Sequence, residues 1–322
     1  MKPFSLLLLI SFALASQCFA QKTDTLFRKL DSLSVKADSA GKQENNTARA
    51  AYNENTRLEA GTYFILLGSD FKQQITKPLH MTGKDWLRFG IFAGGTGTLM
   101  LLDESVQQYA LDLRAHNAGL RRVSSYVTKF GGLYEAYLLV GLGSYGFIFN
   151  NKKMQTTTLL ATQSYMTSAV IAALIKTISG RQRPSRVDPH SIEAEPTFHG
   201  PFFRGGRNAD GKRINTSFPS GHTTAAFSAA TVYAMEYKDR PWVPILSYSA
   251  ASLIGLSRIT ENKHWFTDVI VGAGLGYLTG RQVVNNYHRY SKLKAPHQKG
   301  NSVSFNLEYR DGIIEPDLVY HF

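Results

Sequence analysis

The chain has 322 residues, of which 43% are hydrophobic, 12% aromatic and 19% charged, a composition that excludes a disordered or collagen-like protein. Thirty-six Lys and Arg against 24 Asp and Glu give a formal net charge of +12, which favours phosphate, anionic lipid or nucleic acid as a partner. The length accommodates one large domain with tails or two small ones.

Residues 1–20 begin with Lys2, run through apolar Phe4 to Ala15 and end in Cys18-Phe19-Ala20 before Gln21. A basic start, a short apolar core and a small final residue read as a cleaved secretory signal, and the run is short for a membrane anchor. A lipoprotein signal needs a small residue before its cysteine, where this chain has Gln17. Cys18 is the only cysteine, so cleavage leaves no disulfide and no thiolate metal ligand. The expectation is an exported protein of a bacterial cell envelope, periplasmic and membrane-associated. Export also argues against nucleic acid and leaves phosphate or lipid headgroups to balance the positive charge.

Residues 21–84 form a polar lead-in with helical segments, and up to about residue 55 their Lys, Asp, Ser, Asn and Thr content predicts little core. From Asp85 onward, apolar stretches of helical length recur at Trp86 to Leu102, Leu133 to Phe149, Thr157 to Ile178, Thr223 to Met235, Trp242 to Leu256 and Phe266 to Leu278. They predict an all-α bundle of about six helices over residues 85–290. Gly131-Gly132, Gly180, Pro184, Pro219 and Pro241 fall between the stretches, as helix boundaries should. Residues 291–322 form a tail in which Val303, Phe305, Leu307 and Tyr309 alternate, Asp311-Gly312 marks a turn, and Leu318, Tyr320 and Phe322 alternate again. This predicts a short C-terminal β-hairpin, far short of the eight strands of the smallest membrane barrels.

A spanning helix needs about 20 mostly apolar residues. The stretches here are mostly shorter, are interrupted by Gly, Thr and Ser, and have Arg88, Glu135 and Asp268 near or inside them. Lys and Arg occur in nearly every connection, so charge gives no orientation. If the N-terminus is exported, three consecutive spans place the connection after Ile178 in the cytoplasm. A periplasmic site is therefore easier to reconcile with a soluble or surface-associated bundle than with an integral one, which is the alternative.

Three clusters carry chemistry. In Lys176-Thr-Ile-Ser-Gly-Arg-Gln-Arg183-Pro184 the two outer cations are about two helical turns apart and can converge at a helix end, although a basic helix terminus balancing its dipole has the same appearance. Pro219-Ser220-Gly221-His222 precedes an apolar stretch. A Ser-Gly turn at a helix N-terminus leaves backbone N–H groups for an anion, and taken alone an ordinary cap beside a histidine explains it equally. In Ser257-Arg258-Ile-Thr-Glu-Asn-Lys-His264-Trp-Phe-Thr-Asp268 the last His and Asp share a helical face. That carboxylate can hold one imidazole nitrogen protonated and leave the other nucleophilic, or the two can form a plain surface pair.

Together Lys176, Arg183, Pro184, Pro219, Ser220, Gly221, His222, Ser257, Arg258, His264 and Asp268 match, in order and spacing, the signature of the type 2 phosphatidic acid phosphatase and haloperoxidase superfamily, which the chain resembles from about Asp85 to Arg281. The resemblance implies that His264 is the nucleophile and forms a phosphohistidine, that Asp268 orients it, and that His222 is the general acid and base. It assigns Lys176, Arg183, Ser220, Gly221 and Arg258 to phosphate binding. No metal and no other cofactor is implied, and the nine histidines contain no His-Glu-x-x-His pattern.

The connection from Pro184 to Pro219 carries Arg186, Arg204, Arg207, Lys212 and Arg213 with Phe198, Phe202, Phe203 and Phe218, which suits either a lipid phosphate or a solvated active-site loop. His190 and His199 are expected at the surface and Trp265 in the core. Expected substrates are phosphatidic acid, phosphatidylglycerol phosphate, undecaprenyl pyrophosphate or a lipid A phosphate, followed by soluble phosphomonoesters. The competing readings are a vanadium-dependent haloperoxidase and a silent phosphate- or lipid-binding envelope protein.

Overall fold

A computed structural model describes residues 25–30, 32, 52, 56–185, 187–203, 206–207, 214–294, 302–310 and 313–321. The expected leader and its Cys18 lie outside the described residues, as do Arg186, Arg204, Lys212, Arg213 and the Asp311-Gly312 turn.

Nine helices with defined bounds follow one another among the described residues: α1 (Ala60–Thr76), α2 (Gly83–Leu99), α3 (Asp103–His116), α4 (Ala118–Val127), α5 (Leu133–Ile148), α6 (Lys152–Ser179), α7 (Gly221–Glu236), α8 (Trp242–Thr260) and α9 (Phe266–Lys294). The six predicted apolar stretches are α2 and α5 to α9. The starts follow local chemistry. Thr82 and Asp85 cap α2 reciprocally, the Thr82 Oγ1 accepting from Asp85 N–H at 3.3 Å and the Asp85 carboxylate accepting from Thr82 N–H at 3.1 Å. Asn151 Oδ1 accepts from Met154 N–H at the start of α6. α6 stops at Gly180, which sits at φ +57°, a region that disfavours a Cβ. The returning Gly200 N–H donates to the Ser179 carbonyl there at 3.1 Å.

α7 is the central helix, packed against α6, α8 and α9. Gly276 and Gly280, one turn apart on α9, let it approach closely: a Cβ on either would collide with the Thr224 or Ser228 carbonyl of α7. Small residues at this spacing bring helix backbones together, and here they fix the register between the His222 end of α7 and the Asp268 end of α9.

The bundle buries polar side chains and exposes apolar ones. On α6, Gln163, Ser164, Thr167 and Ser168 are fully buried, whereas Met166, Val170, Leu174 and Ile178 are 43–65% exposed. Trp86, Leu87, Phe89 and Ile91 on α2, Tyr137, Leu138 and Val140 on α5, and Ile245, Leu246, Leu253 and Leu256 on α8 are likewise exposed. Among the described helices, α6 is long and apolar enough to cross a membrane by length and composition.

An apolar cluster at the end of the bundle away from Gly180 combines Leu139, Leu160, Val232, Val283, Val284 and Tyr287 with Leu66 of α1 and with Leu30 and Tyr52. Leu30 and Tyr52, from the segment expected to hold little core, are buried in this cluster beside Val283, Val284 and Tyr287 of α9. Ser302–Arg310 and Ile313–His321 pair as antiparallel strands, with Ser302 opposite His321 and Arg310 opposite Ile313.

Candidate active site

The three sequence clusters meet at one end of the bundle. Lys176 is in the last turn of α6, Ser220 precedes the first turn of α7, Arg258 is in the last turn of α8, and Asp268 is in the first turn of α9. Arg183 and His264 occupy the intervening connections.

His264 is 1% exposed, and its Nδ1 lies 3.6 Å from Asp268 Oδ2 with no closer partner. Burial first, then the positive charges of Arg183, Lys176, Arg258 and His222, push its pKa well below 6.5. Both effects favour the neutral imidazole, the form that keeps a nitrogen lone pair free. The same four neighbours show that the cations of separate segments converge on one imidazole.

Each phosphate-binding candidate has a defined place. Lys176 Nζ donates to the Thr216 carbonyl at 2.9 Å and to the carbonyls of Ser217 and Pro219, which tie it to the connection before α7. Arg258 Nη1 donates to Thr128 Oγ1 at 2.5 Å, and the buried Nε atoms of Arg183 and Arg258 have no partner among the described residues. The N-terminus of α7 has no side-chain cap, because the Ser220 hydroxyl is turned to accept from Thr223 Oγ1 at 2.8 Å. Gly221 lies beside Lys176: a Cβ there would sit 3.6 Å from Lys176 Cε. An uncapped first turn beside cations has free N–H groups with which an anion could pair. The backbones of Gly131 and Gly132 press against the His222 ring, where a Cβ on Gly131 would clash.

Several site residues had no motif to reveal them. Arg181 is fully buried and donates to Asp268 Oδ1 at 2.7 Å, to Thr267 Oγ1 at 2.9 Å and to Asp103 Oδ2 at 2.5 Å. Ser217 Oγ donates to Asp268 Oδ2 at 2.5 Å, and the Trp265 N–H donates to the same oxygen at 2.9 Å. Asp103, at the start of α3, is 78 residues from Arg181, a separation that no local pattern can span. Arg181 itself lies within the first cluster, and its signal was a third cation between Lys176 and Arg183.

Trp265 is buried, with its indole N–H on the Gln182 carbonyl, and His190 and His199 are exposed. Phe202 on the connection from Pro184 to Pro219 is 93% exposed. Among the described residues no group of three or more His, Cys, Asp or Glu side chains is arranged to hold a metal ion.

Residues 157–292 match the model of the PAP2 superfamily, and that match contains every motif position from Lys176 to Asp268. The chain carries a PAP2 superfamily domain. It is 45% identical over 82 residues to a lipid A 1-phosphatase of Porphyromonas gingivalis, covering 25% of this chain and 18% of that protein. It is 30% identical over 162 residues to lipid phosphate phosphatase 1 of Arabidopsis thaliana, covering 42% and 49%. The chain thus spans under a fifth of the first relative and about half of the second. Two solved structures align: a transmembrane PAP2-type phosphatidylglycerolphosphate phosphatase from Bacillus subtilis, with 22% identity over 62% of this chain and 91% of that one and a TM-score of 0.43, and LpxE of Aquifex aeolicus, with 24% identity over 56% and 94% and a TM-score of 0.41.

Proposed function

We propose that the protein is a membrane-embedded phosphatase that removes phosphate from a lipid through a phosphohistidine, without a metal. The observation that carries this reading is a buried His264 that lies beside Asp268 and among the charges of Lys176, Arg183, Arg258 and His222.

With Nδ1 turned to Asp268, the other ring nitrogen attacks phosphorus in line. The P–N bond forms as the bond to the leaving oxygen breaks, and His222 gives that oxygen its proton. Lys176, Arg183, Arg258 and the first-turn N–H groups of α7 hold the equatorial oxygens, where charge is greatest in the transition state. His222 then takes a proton from water, which attacks phosphorus and releases phosphate and His264. Asp268 stabilises the positive charge on the phosphorylated ring.

The exposed apolar faces of α2, α5, α6 and α8 support an integral bundle over a soluble or surface-associated one. A water-soluble bundle hides its apolar side chains, and this one hides its hydroxyls and amides. α8, with 19 residues, is about 28 Å long at 1.5 Å per residue, close to the roughly 30 Å of a hydrocarbon core. Phosphate then meets the cations at the membrane edge while acyl chains stay beside the apolar faces. Both sequence relatives carry lipid phosphatase names, which supports the same substrate class.

Two experiments test the reading. Radiolabelled lipid phosphate given to His222→Ala is expected to leave acid-labile, alkali-stable label on the peptide containing His264, and label on a serine or on no residue would overturn the phosphohistidine. In a Cys18→Ser background, Arg121→Cys at the site end and Arg240→Cys at the other end should react with an impermeant thiol reagent from opposite sides of a sealed vesicle. Reaction of both from one side would overturn the embedding.

A further inference from the structure

The best-formed ionic assembly at the site reaches the His264 imidazole only through Asp268. Arg181, Asp103 and Asp268 are all fully buried, and each comes from a different segment. The Arg181 guanidinium lies over the Phe198 ring at 4.8 Å and within 6.0 Å of the Phe218 and Trp265 ring centroids. Asp103 is itself fixed by Thr267, whose N–H donates to Oδ1 at 2.9 Å and whose hydroxyl donates to Oδ2 at 2.6 Å. Arg181 holds Asp268 Oδ1, while Ser217 and the Trp265 N–H hold Oδ2, the oxygen that lies 3.6 Å from His264 Nδ1.

We propose that Arg181, held by Asp103, is a positioning residue for phosphoryl transfer: it clamps the Asp268 carboxylate from behind and fixes the edge that faces His264. This rests on the phosphohistidine reading above and adds the residues that aim its nucleophile. The clamp sets charge as well as geometry. Asp103, Arg181 and Asp268 together carry one net negative charge behind the imidazole, against the positive charges of Lys176, Arg183, Arg258 and His222 on its other sides. Removing Arg181 leaves two carboxylates uncompensated and favours imidazolium. Removing the Asp103 charge lets Arg181 neutralise Asp268 and disfavours it.

The test compares wild type, Arg181→Gln, Asp103→Asn and the double variant in purified full-length protein, with two readouts. The first is the pH profile of kcat/KM, whose acid limb reports the free-enzyme nucleophile. The second is direct NMR titration of the His264 imidazole, which needs no turnover. Arg181→Gln should lower kcat on the order of 100-fold with KM changed less than about threefold and move the acid limb and the imidazole titration upward. Asp103→Asn should move both downward, and the double variant should return toward wild type. Arg181→Lys, which keeps the charge, should leave the titration in place while losing kcat through the missing second bond. Overlapping titrations in all four proteins, with kcat falling only as the folded fraction falls, would overturn the clamp. If instead His264→Ala keeps wild-type phosphate release, the phosphatase mechanism fails, and the imidazole titration still decides the clamp.

Discussion

The two ends of α7 and α9 both bury ionisable groups, and they treat them differently. At the end away from the site, Glu236 accepts from Tyr52 Oη and lies 2.8 Å from His288 Nε2, and Asp70 Oδ1 accepts from Asn286 Nδ2 at 2.9 Å. Glu236 is answered by two partners, whereas Asp70 keeps one buried oxygen, Oδ2, without a partner among the described residues. At the site end, Lys176, Arg181, Arg183 and Arg258 face Asp103 and Asp268, four cations to two carboxylates, and the buried Arg183 and Arg258 Nε atoms have no partner among the described residues. Buried charge of one sign is costly unless something compensates it. The ends differ in the sign of what they bury: the far end pairs carboxylates with neutral or single partners, whereas the site end holds a surplus of cations that, on the proposed reading, a phosphate monoester would compensate.

The sharpest way to break that comparison is His264→Ala, which should abolish phosphate release while leaving the fold intact by circular dichroism; retained turnover would remove His264 as nucleophile. Next, Arg258→Ala should cost about 100-fold or more in kcat/KM, since it deletes one transition-state donor. Glu236→Ala at the other end should do the reverse. Truncating one partner of a buried ionic set destabilises by about 3–5 kcal/mol, so its thermal midpoint should fall while kcat per folded molecule changes less than about twofold. A kinetic defect there would show that the two ends are coupled.

A smaller effect sharpens the electrostatic side. Because burial and four neighbouring cationic groups hold His264 well below 6.5, it stays neutral as pH falls through 6.5. The acid limb of kcat/KM should therefore lie below that value, and replacing Arg183 with Gln should move it upward by removing a neighbouring positive charge. A limb at or above 6.5 in wild type would contradict the arrangement.

How much of this was legible in the sequence follows from what each segment buries. α2 and α5 to α9 were readable because apolar residues recur in each of them over whole turns. α3 and α4 were not, because their inward faces are polar: Asp103, Gln107, Arg114 and Ser124 are buried, Gln107 donates to the Ile259 carbonyl, and Arg114 pairs with Glu261. Hydrophobic periodicity cannot report a helix that docks through hydrogen bonds. Lys176, Arg183, Ser220, Gly221, His222, Arg258, His264 and Asp268 were found because their spacing is local within three short segments. The Asp103–Arg181–Asp268 clamp was hidden because it joins three segments that only the folded bundle brings together. The sorting of α6 into a polar inward face and an apolar outward face is likewise a property of the folded bundle that mean hydropathy averages away.

The most direct test of the central claim is phosphate release by purified protein in detergent with chelator present. Phosphatidic acid, phosphatidylglycerol phosphate, undecaprenyl pyrophosphate, lipid A and p-nitrophenyl phosphate would be compared beside His264→Ala. The account predicts chelator-resistant release that is faster on at least one lipid than on p-nitrophenyl phosphate and absent in the variant. Release that appears only when divalent metal is restored, or that survives in His264→Ala, would contradict it.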